Sequence, residues 1–336
     1  MLVTPAKAAD VLRRLPAELQ APSLHPYYLL ADAERDRGLS PCFFVHEEGG
    51  ESYYHAFHTE PVPGTEFVDV QSAYGYGGPV ASTTDPAFLQ SASAVWKDWC
   101  QEKKVLVEFI RFHPLLENWR FFSGDIFDDR MTVWIDLAVP GLMAQYTTRV
   151  RTAVRKALKS GLHVEWWAAA EFRAVFPELY TDTMRAIGAD DEYFFPPSYF
   201  ERLLTGAAEG AGAPWLAICR DDRKVLAGAI FLPGAEMVEY HLSAANVEGK
   251  SRGATNLILH EAALRGQLAG KRRLHLGGGS NAAPANPLLF FKAGFSSQRA
   301  RFRIGRQIHE PQAYSALKVY WASRHGASGN RILFYR

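Results

Sequence analysis

The chain has 336 residues, 48% of them hydrophobic and 13% aromatic, which is enough to build about two cored domains and is unlike a disordered composition. A net charge of +1 gives no global field toward nucleic acid or an anionic membrane, so any phosphate contact must come from local clusters. Three scattered cysteines (Cys42, Cys100 and Cys219) argue against a zinc ribbon or disulfide framework, and the lack of long apolar runs predicts a cytoplasmic protein with no stable membrane insertion.

In chain order, residues 42–46 and 52–58 flank Glu47-Glu48-Gly49-Gly50, a hairpin signal. A third strand, 67–71, runs into the loop Tyr74-Gly75-Tyr76-Gly77-Gly78-Pro79. Residues 86–103 read as a helix, and 105–112 and 131–137 as strands. A basic helix over 146–161 stops at Gly161. The strand 162–166 and helical stretches 170–187 and 198–204 follow. Residues 215–220, 225–232 and 237–243, joined by turn residues, form a second antiparallel meander.

A polar stretch, 246–253, precedes a helix with Leu257, Ile258, Leu264 and Leu268 on a face. The strand 273–276 then feeds Gly277, Gly278 and Gly279. Asn286 caps a short helix with Pro287 at its first position and Gly294 beyond its last, and residues 298–304 alternate as a strand. Tyr314, Leu317, Tyr320 and Trp321 mark one more helix face, and Ile332, Leu333 and Phe334 read as a short closing strand.

Three antiparallel strands, a loop, a helix, a strand, a connection and a strand thus occur twice. The economical reading is an α+β protein made of two copies of one unit. This order of elements resembles the GNAT acyltransferase fold: tandem domains, each a mixed, mainly antiparallel sheet with flanking helices. In that fold, backbone N–H groups at a helix N-terminus receive a pyrophosphate. Gly77-Gly78 and Arg252-Gly253 stand at that place in the two copies.

The YGYGGP loop, the basic RVRTAVRKALKSG helix, TDTMR at 181–185, YHLSAAN at 240–246, FFKAGF at 290–295 and a chain end in FYR are more specific. Together they resemble the Fem family, tRNA-dependent aminoacyl transferases that build peptidoglycan cross-bridges, and its acyltransferase relatives. The resemblance implies domains over 1–145, completed by 309–336, and over 146–308. It implies an aminoacyl-tRNA or acyl-CoA donor used as a co-substrate, with no resident cofactor or metal. The acceptor would be an amine, with a cell-wall precursor one candidate, and the expected assembly is a monomer.

The resemblance also assigns residues. Phe291-Lys292 and Thr183-x-Arg185 match positions that contact substrate phosphate or its surroundings, and Tyr240 stands where a family tyrosine reaches substrate. Lys292 would then neutralise a phosphate or a developing oxyanion; without that resemblance and the neighbouring glycine loop, the ordinary reading is a snorkelling surface lysine. Tyr74 and Tyr76 offer flat amphipathic faces, and Gly77, Gly78 and Gly277–Gly279 allow close backbone approach or simply turns. Arg299, Arg301 and Arg303 share a strand face, either solvated or, with Arg149, Arg151, Arg155 and Lys156, a track for RNA.

Arg252-Gly253 would serve as a cofactor site only for an acyl-CoA donor. That alternative is a coenzyme A-dependent N-acetyltransferase, and a further one is a degenerate, non-catalytic RNA or nucleotide-sugar binding protein. The chain departs from two patterns: YGYGGPVAS lacks the arginine of the Y-x-P-R-G-P of cross-bridge ligases, and KSRGAT at 250–255 is not a full Q/R-x-x-G-x-G/A loop.

Overall fold

Thr4 caps α1 (Pro5–Arg14), its hydroxyl accepting from the Lys7 N–H at 3.3 Å with Pro5 at the first helical position. The computed structural model describes residues 1–205, 212–283, 285–326, 329 and 331–336. After α2 (Pro26–Asp32) come β1 (Ser40–Glu48), β2 (Glu51–Pro61), β3 (Val68–Gln71), β4 (Val80–Ala81), α3 (Pro86–Glu102), β5 (Val105–Arg111) and β6 (Asp125–Asp136). Strand β2 pairs antiparallel with β1 and β3, whereas β3 and β5 run parallel, as a crossover through α3 requires. Phe44, Phe57, Trp96, Ile110 and Phe112 form the core beneath.

The chain continues through α4 (Leu142–Gln145), α5 (Thr148–Lys159), β7 (His163–Trp166), α6 (Ala169–Ile187), α7 (Pro197–Thr205), β8 (Trp215–Arg220), β9 (Val225–Pro233) and β10 (Met237–Ala245). Next are α8 (Val247–Arg252), α9 (Ala254–Leu268), β11 (Arg273–Gly278), α10 (Pro287–Ala293), β12 (Arg299–Ile308) and α11 (Pro311–His325). Strands β7 to β10 form an antiparallel meander, β10 and β11 run parallel, and β11 pairs antiparallel with β6. The hairpin, third strand, helix and parallel strand of the first copy therefore recur, as the sequence predicts. Their core includes Val154, Leu226, Phe231, Leu257, Ile258 and Phe295.

Two compact units result: residues 1–129 with 302–336, and residues 130–301. The changeovers lie within β6 and β12, and not at 145 and 309. Strand pairing explains this, because residues 132–136 bond to β11 while residues 304–308 bond to β5. In the first unit the tail covers β3 and β5: Tyr314, Ile332, Phe334 and Tyr335 pack with Val62, Leu106 and Val107. Residues 332–334 form bends and a turn, not the predicted strand. Side chains pin them instead of a ladder, with Tyr314 OH donating to the Ile332 carbonyl at 2.7 Å and Tyr335 OH to Asp69 at 3.1 Å.

The polar stretch before α9 is the helix α8. Its cap is Asn246, whose carboxamide oxygen accepts from the Gly249 N–H at 2.8 Å. Among the described residues, no helix is long and apolar enough to cross a membrane.

Candidate active site

The parallel ladder between β10 and β11 is short. It joins Met237–Glu239 to Arg273–His275 and then stops, so the strands part at Tyr240. Both strands bulge there, β10 between Tyr240 and Leu242 and β11 between His275 and Gly277. A bulge re-aims side chains and ends pairing. Beyond it, β10 follows β9 and Gly277–Gly278 follow β6.

Lys292 enters this parting from α10. Asn286 starts the helix, its Oδ1 accepting from the N–H groups of Leu288 and Leu289 at 3.0 and 3.1 Å. Its Nδ2 donates to Ser280 Oγ at 2.9 Å and Asn281 Oδ1 at 3.0 Å, so one side chain ties the glycine loop to the helix carrying the lysine. Lys292 is 9% exposed, and Nζ donates to the Gly278 carbonyl at 2.8 Å and lies 5.9 Å from the centre of the Tyr240 ring. Among the described residues no carboxylate pairs with it. Burial therefore lowers its pKa from 10.5 to about 7, because the ammonium loses hydration without gaining a counter-charge. Its titration is thereby brought down toward neutral pH. That is the behaviour of a group able to give up and regain a proton.

Tyr240 stays a neutral phenol, its pKa pushed up to about 12 by burial, and its OH donates to Ser243 Oγ at 2.5 Å. On a regular strand residues three apart face opposite sides; the bulge brings this pair together. Gly277 has a φ of +78° and Gly278 supplies the carbonyl to Lys292, while the Gly279 carbonyl accepts from Arg130 at 3.1 Å. Two cations thus meet the outward carbonyls of the glycine loop. Phe291 packs on the core of the second unit, its ring 5.6 Å from that of Phe295.

Other predicted residues have different surroundings. Thr183 Oγ1 donates to the Leu179 carbonyl at 2.7 Å and accepts from the Ala245 N–H at 3.2 Å, fastening α6 to the end of β10. The Arg185 side chain is 69% exposed and ion-pairs with Asp182 at 3.3 Å on the same helix. Arg252 is committed to Asp221 at 2.6 Å, Glu248 at 2.8 Å and the Ser160 carbonyl at 2.8 Å. Gly253 has a φ of +81°, and a Cβ there would lie 3.1 Å from the Ala153 carbonyl oxygen. Helix α5 therefore presses a carbonyl dipole, not open space, against the start of α9.

In the first unit the YGYGGP loop is stitched to β5 beyond the last β3 pair. Ser72 N–H donates to the Phe109 carbonyl at 3.2 Å, and Gly77 N–H to the Arg111 carbonyl at 2.7 Å. Gly78, with a φ of +92°, is the residue the turn requires: a Cβ would meet Asn118 Nδ2 and Phe112 Cδ1, each at 2.9 Å. Buried Asn118 donates to the Gly77 and Pro79 carbonyls at 2.9 and 3.1 Å. Tyr76 is half-buried, edge-on to His113 and Phe302.

The peptide of Tyr74 is held from both sides, its N–H by Asp32 at 3.0 Å and its carbonyl by Tyr28 OH at 2.6 Å. Asp32 is fully buried and also binds Arg35 at 2.6 Å and His58 at 2.9 Å. These donors overcome the desolvation that would raise its pKa and hold it near 2. Sequence reading missed Asp32, Tyr28, Asn118, Ser243 and Arg130. Helix-start signals that could have pointed to structure ahead of β1 are Thr4-Pro5 and His25-Pro26.

Among the described residues Cys100, Glu108 and His309 bring possible ligand atoms within 4.8 Å of one another. Glu108 Oε1 already accepts from Trp96 at 3.0 Å and pairs with His309 Nε2 at 2.7 Å, a hydrogen-bonded core contact.

A β-meander, a crossover helix and a parallel strand, all in duplicate, define a tandem GNAT fold, and in the second copy the parallel strand parts from its neighbour. Residues 144–284 match the acetyltransferase (GNAT) domain family, a span containing α5 to β11. The fold is that of tandem GNAT proteins, and the family match lies within the second of the two units. The whole fold is similar to that of FemX, at 15% identity and a TM-score of 0.71 over 94% of this chain and 99% of that one. It is similar also to L-PGS from Bacillus licheniformis, at 13% identity and 0.56 over 90% and 91% of the two chains. A tandem GNAT protein from the clavulanic acid biosynthesis pathway follows, at 10% and 0.50 over 93% and 98%. No curated protein matches the chain by sequence.

Proposed function

We propose that this protein transfers an aminoacyl group from the ester of an aminoacyl-tRNA to an amine acceptor, with a cell-envelope precursor as the acceptor class. The observation that carries the reading is Lys292, a buried amine without a counter-charge where β10 and β11 part. The acceptor nitrogen attacks the ester carbonyl, forming the C–N bond and a tetrahedral oxyanion. The Lys292 ammonium donates to that oxygen. Collapse breaks the C–O bond, and the departing ribose oxygen takes up the proton the attacking nitrogen loses. Holding both substrates in line supplies much of the acceleration.

The donor choice is supported by what surrounds Gly253. A coenzyme A pyrophosphate at the start of α9 would meet the Ala153 carbonyl, and Arg252 beside it is already neutralised by Asp221 and Glu248. The match to the acetyltransferase (GNAT) domain favours the second reading, N-acetylation from acetyl-CoA.

A donor screen separates them: aminoacyl-tRNAs and acyl-coenzyme A are offered with one panel of amines, and amide product is followed by mass spectrometry. Product from the tRNA ester is expected. Turnover with acyl-coenzyme A alone would overturn the first reading in favour of the second. With the productive donor, Lys292→Ala is expected to lower turnover at least tenfold with the fold intact, since one preorganised donor to an oxyanion is worth roughly 2.7–4 kcal/mol.

A further inference from the structure

Most arginines of this chain that cluster in sequence are answered by carboxylates. Arg303 pairs with Asp128 at 2.9 Å, Arg306 with Asp125 at 2.6 Å, and Arg252 with two acids. Helix α5 differs. It carries Arg149, Arg151, Arg155, Lys156 and Lys159 and no acidic residue, and none of the five pairs with a carboxylate among the described residues. At about 100° per residue the five fall within an arc of roughly 160°, opposite Val150, Val154 and Ala157, which are buried in the core. They span roughly 15 Å along the axis, the reach of two or three backbone phosphates. Lys156 Nζ donates to the Ser251 carbonyl at 3.2 Å, which brings the exposed Lys250 of α8 beside the same face.

An aromatic surface adjoins the charges. Phe290, on the helix that carries Lys292, is 66% exposed, and the Arg149 guanidinium lies 4.4 Å from its ring centre. Arg149 also donates to the Phe290 carbonyl at 3.0 Å, fixing the two side by side. A cationic track ending at a ring beside a guanidinium plane is how single-stranded nucleic acid is held: phosphates along the charges, a base on the ring. An anionic membrane fits less well. A helix lying in a lipid interface needs its apolar face free, and that of α5 is spent on the core.

We propose that the exposed face of α5 with Phe290 binds the backbone and an unpaired base at the 3′ end of an RNA. This inference rests on the tRNA-ester reading for its biological source, but the RNA contact is measured by itself. The probe is a fluorescein-labelled RNA hairpin with a short single-stranded 3′ end, followed by anisotropy across a salt series. Arg155→Gln/Lys159→Gln is expected to weaken binding about tenfold at low salt. It should also flatten the slope of log Kd against log salt by roughly 1.4, two contacts at about 0.7 each. Phe290→Ala is expected to weaken binding several-fold with the slope unchanged, a split that a merely structural role would not give.

Wild-type slope and affinity in the double variant would overturn the proposal. So would loss of binding to phosphatidylglycerol vesicles with RNA binding untouched, which would make the face a membrane contact. The failures of the two readings are separable. If acyl-coenzyme A is the only donor, the tRNA reading falls while hairpin binding still reports on α5. If aminoacyl-tRNA is the donor and the double variant uses it as well as wild type does, only the surface assignment falls.

Discussion

Replacing Lys292 with methionine keeps an unbranched chain of similar length and removes the ammonium. Burial lowers the lysine pKa from 10.5 to about 7. At 1.36 kcal/mol per pH unit this costs the fold on the order of 5 kcal/mol wherever the amine is protonated in both folded and unfolded chains. That condition holds below pH 7. Between pH 7 and 10.5 the unfolded chain binds more protons than the folded one, so the cost shrinks as pH rises and is gone above 10.5. The substitution also leaves the Gly278 carbonyl without its 2.8 Å donor, a loss of roughly 1–3 kcal/mol. Lys292→Met is therefore expected to stabilise the protein by about 2–4 kcal/mol at pH 6, with the gain closing by pH 10, while turnover falls at least tenfold. Denaturant unfolding at the two pH values measures this directly. If the variant is destabilised equally at both, the lysine is not a desolvated amine and its catalytic assignment loses its physical basis.

With the productive donor, turnover should show a descending limb as pH rises through about 7, where Lys292 loses its proton; Lys292→Arg should move that limb upward, and a limb in the same place in both proteins would assign it to another group. Asp32→Asn removes a buried charge from Arg35, His58 and the Tyr74 N–H, so a loss of about 3–5 kcal/mol is expected together with faster hydrogen exchange at Tyr74 and Gly75; unchanged exchange would free the loop from Asp32. His55 is buried and its pKa is lowered to about 3 by desolvation, so the unfolded chain binds the extra proton between pH 6.5 and 3. Stability should be full above pH 6.5 and fall with acid, and His55→Phe should flatten that fall in a pH series of melting temperatures.

The order of elements was legible because it is written in short-range pattern. Residues 215–220 and 225–232 are short apolar runs with turn residues between them, and Asn286-Pro287 announces a helix whichever neighbours it meets. The duplication is likewise a property of the chain, and so is the tandem GNAT fold it implies. Lys292 could be picked out, but not its state: on a two-turn helix it reads as readily as a surface lysine.

Three other features depended on contacts between distant segments. Helix α8 is polar and contains Gly249, so its Asn246 cap and its seat against Leu226 help to hold it as a helix. Ile332–Phe334 has the composition of a strand, yet no edge receives it, and hydrogen bonds from Tyr314, Tyr335 and Arg336 fold it into turns. Tyr240 and Ser243 share a face only because β10 bulges where its parallel partner leaves it. Local periodicity fixes which segments form; the desolvation of one amine, and with it the chemistry, is set by where two strands separate. That separation is a property of the packed sheet, which no window of neighbouring residues contains.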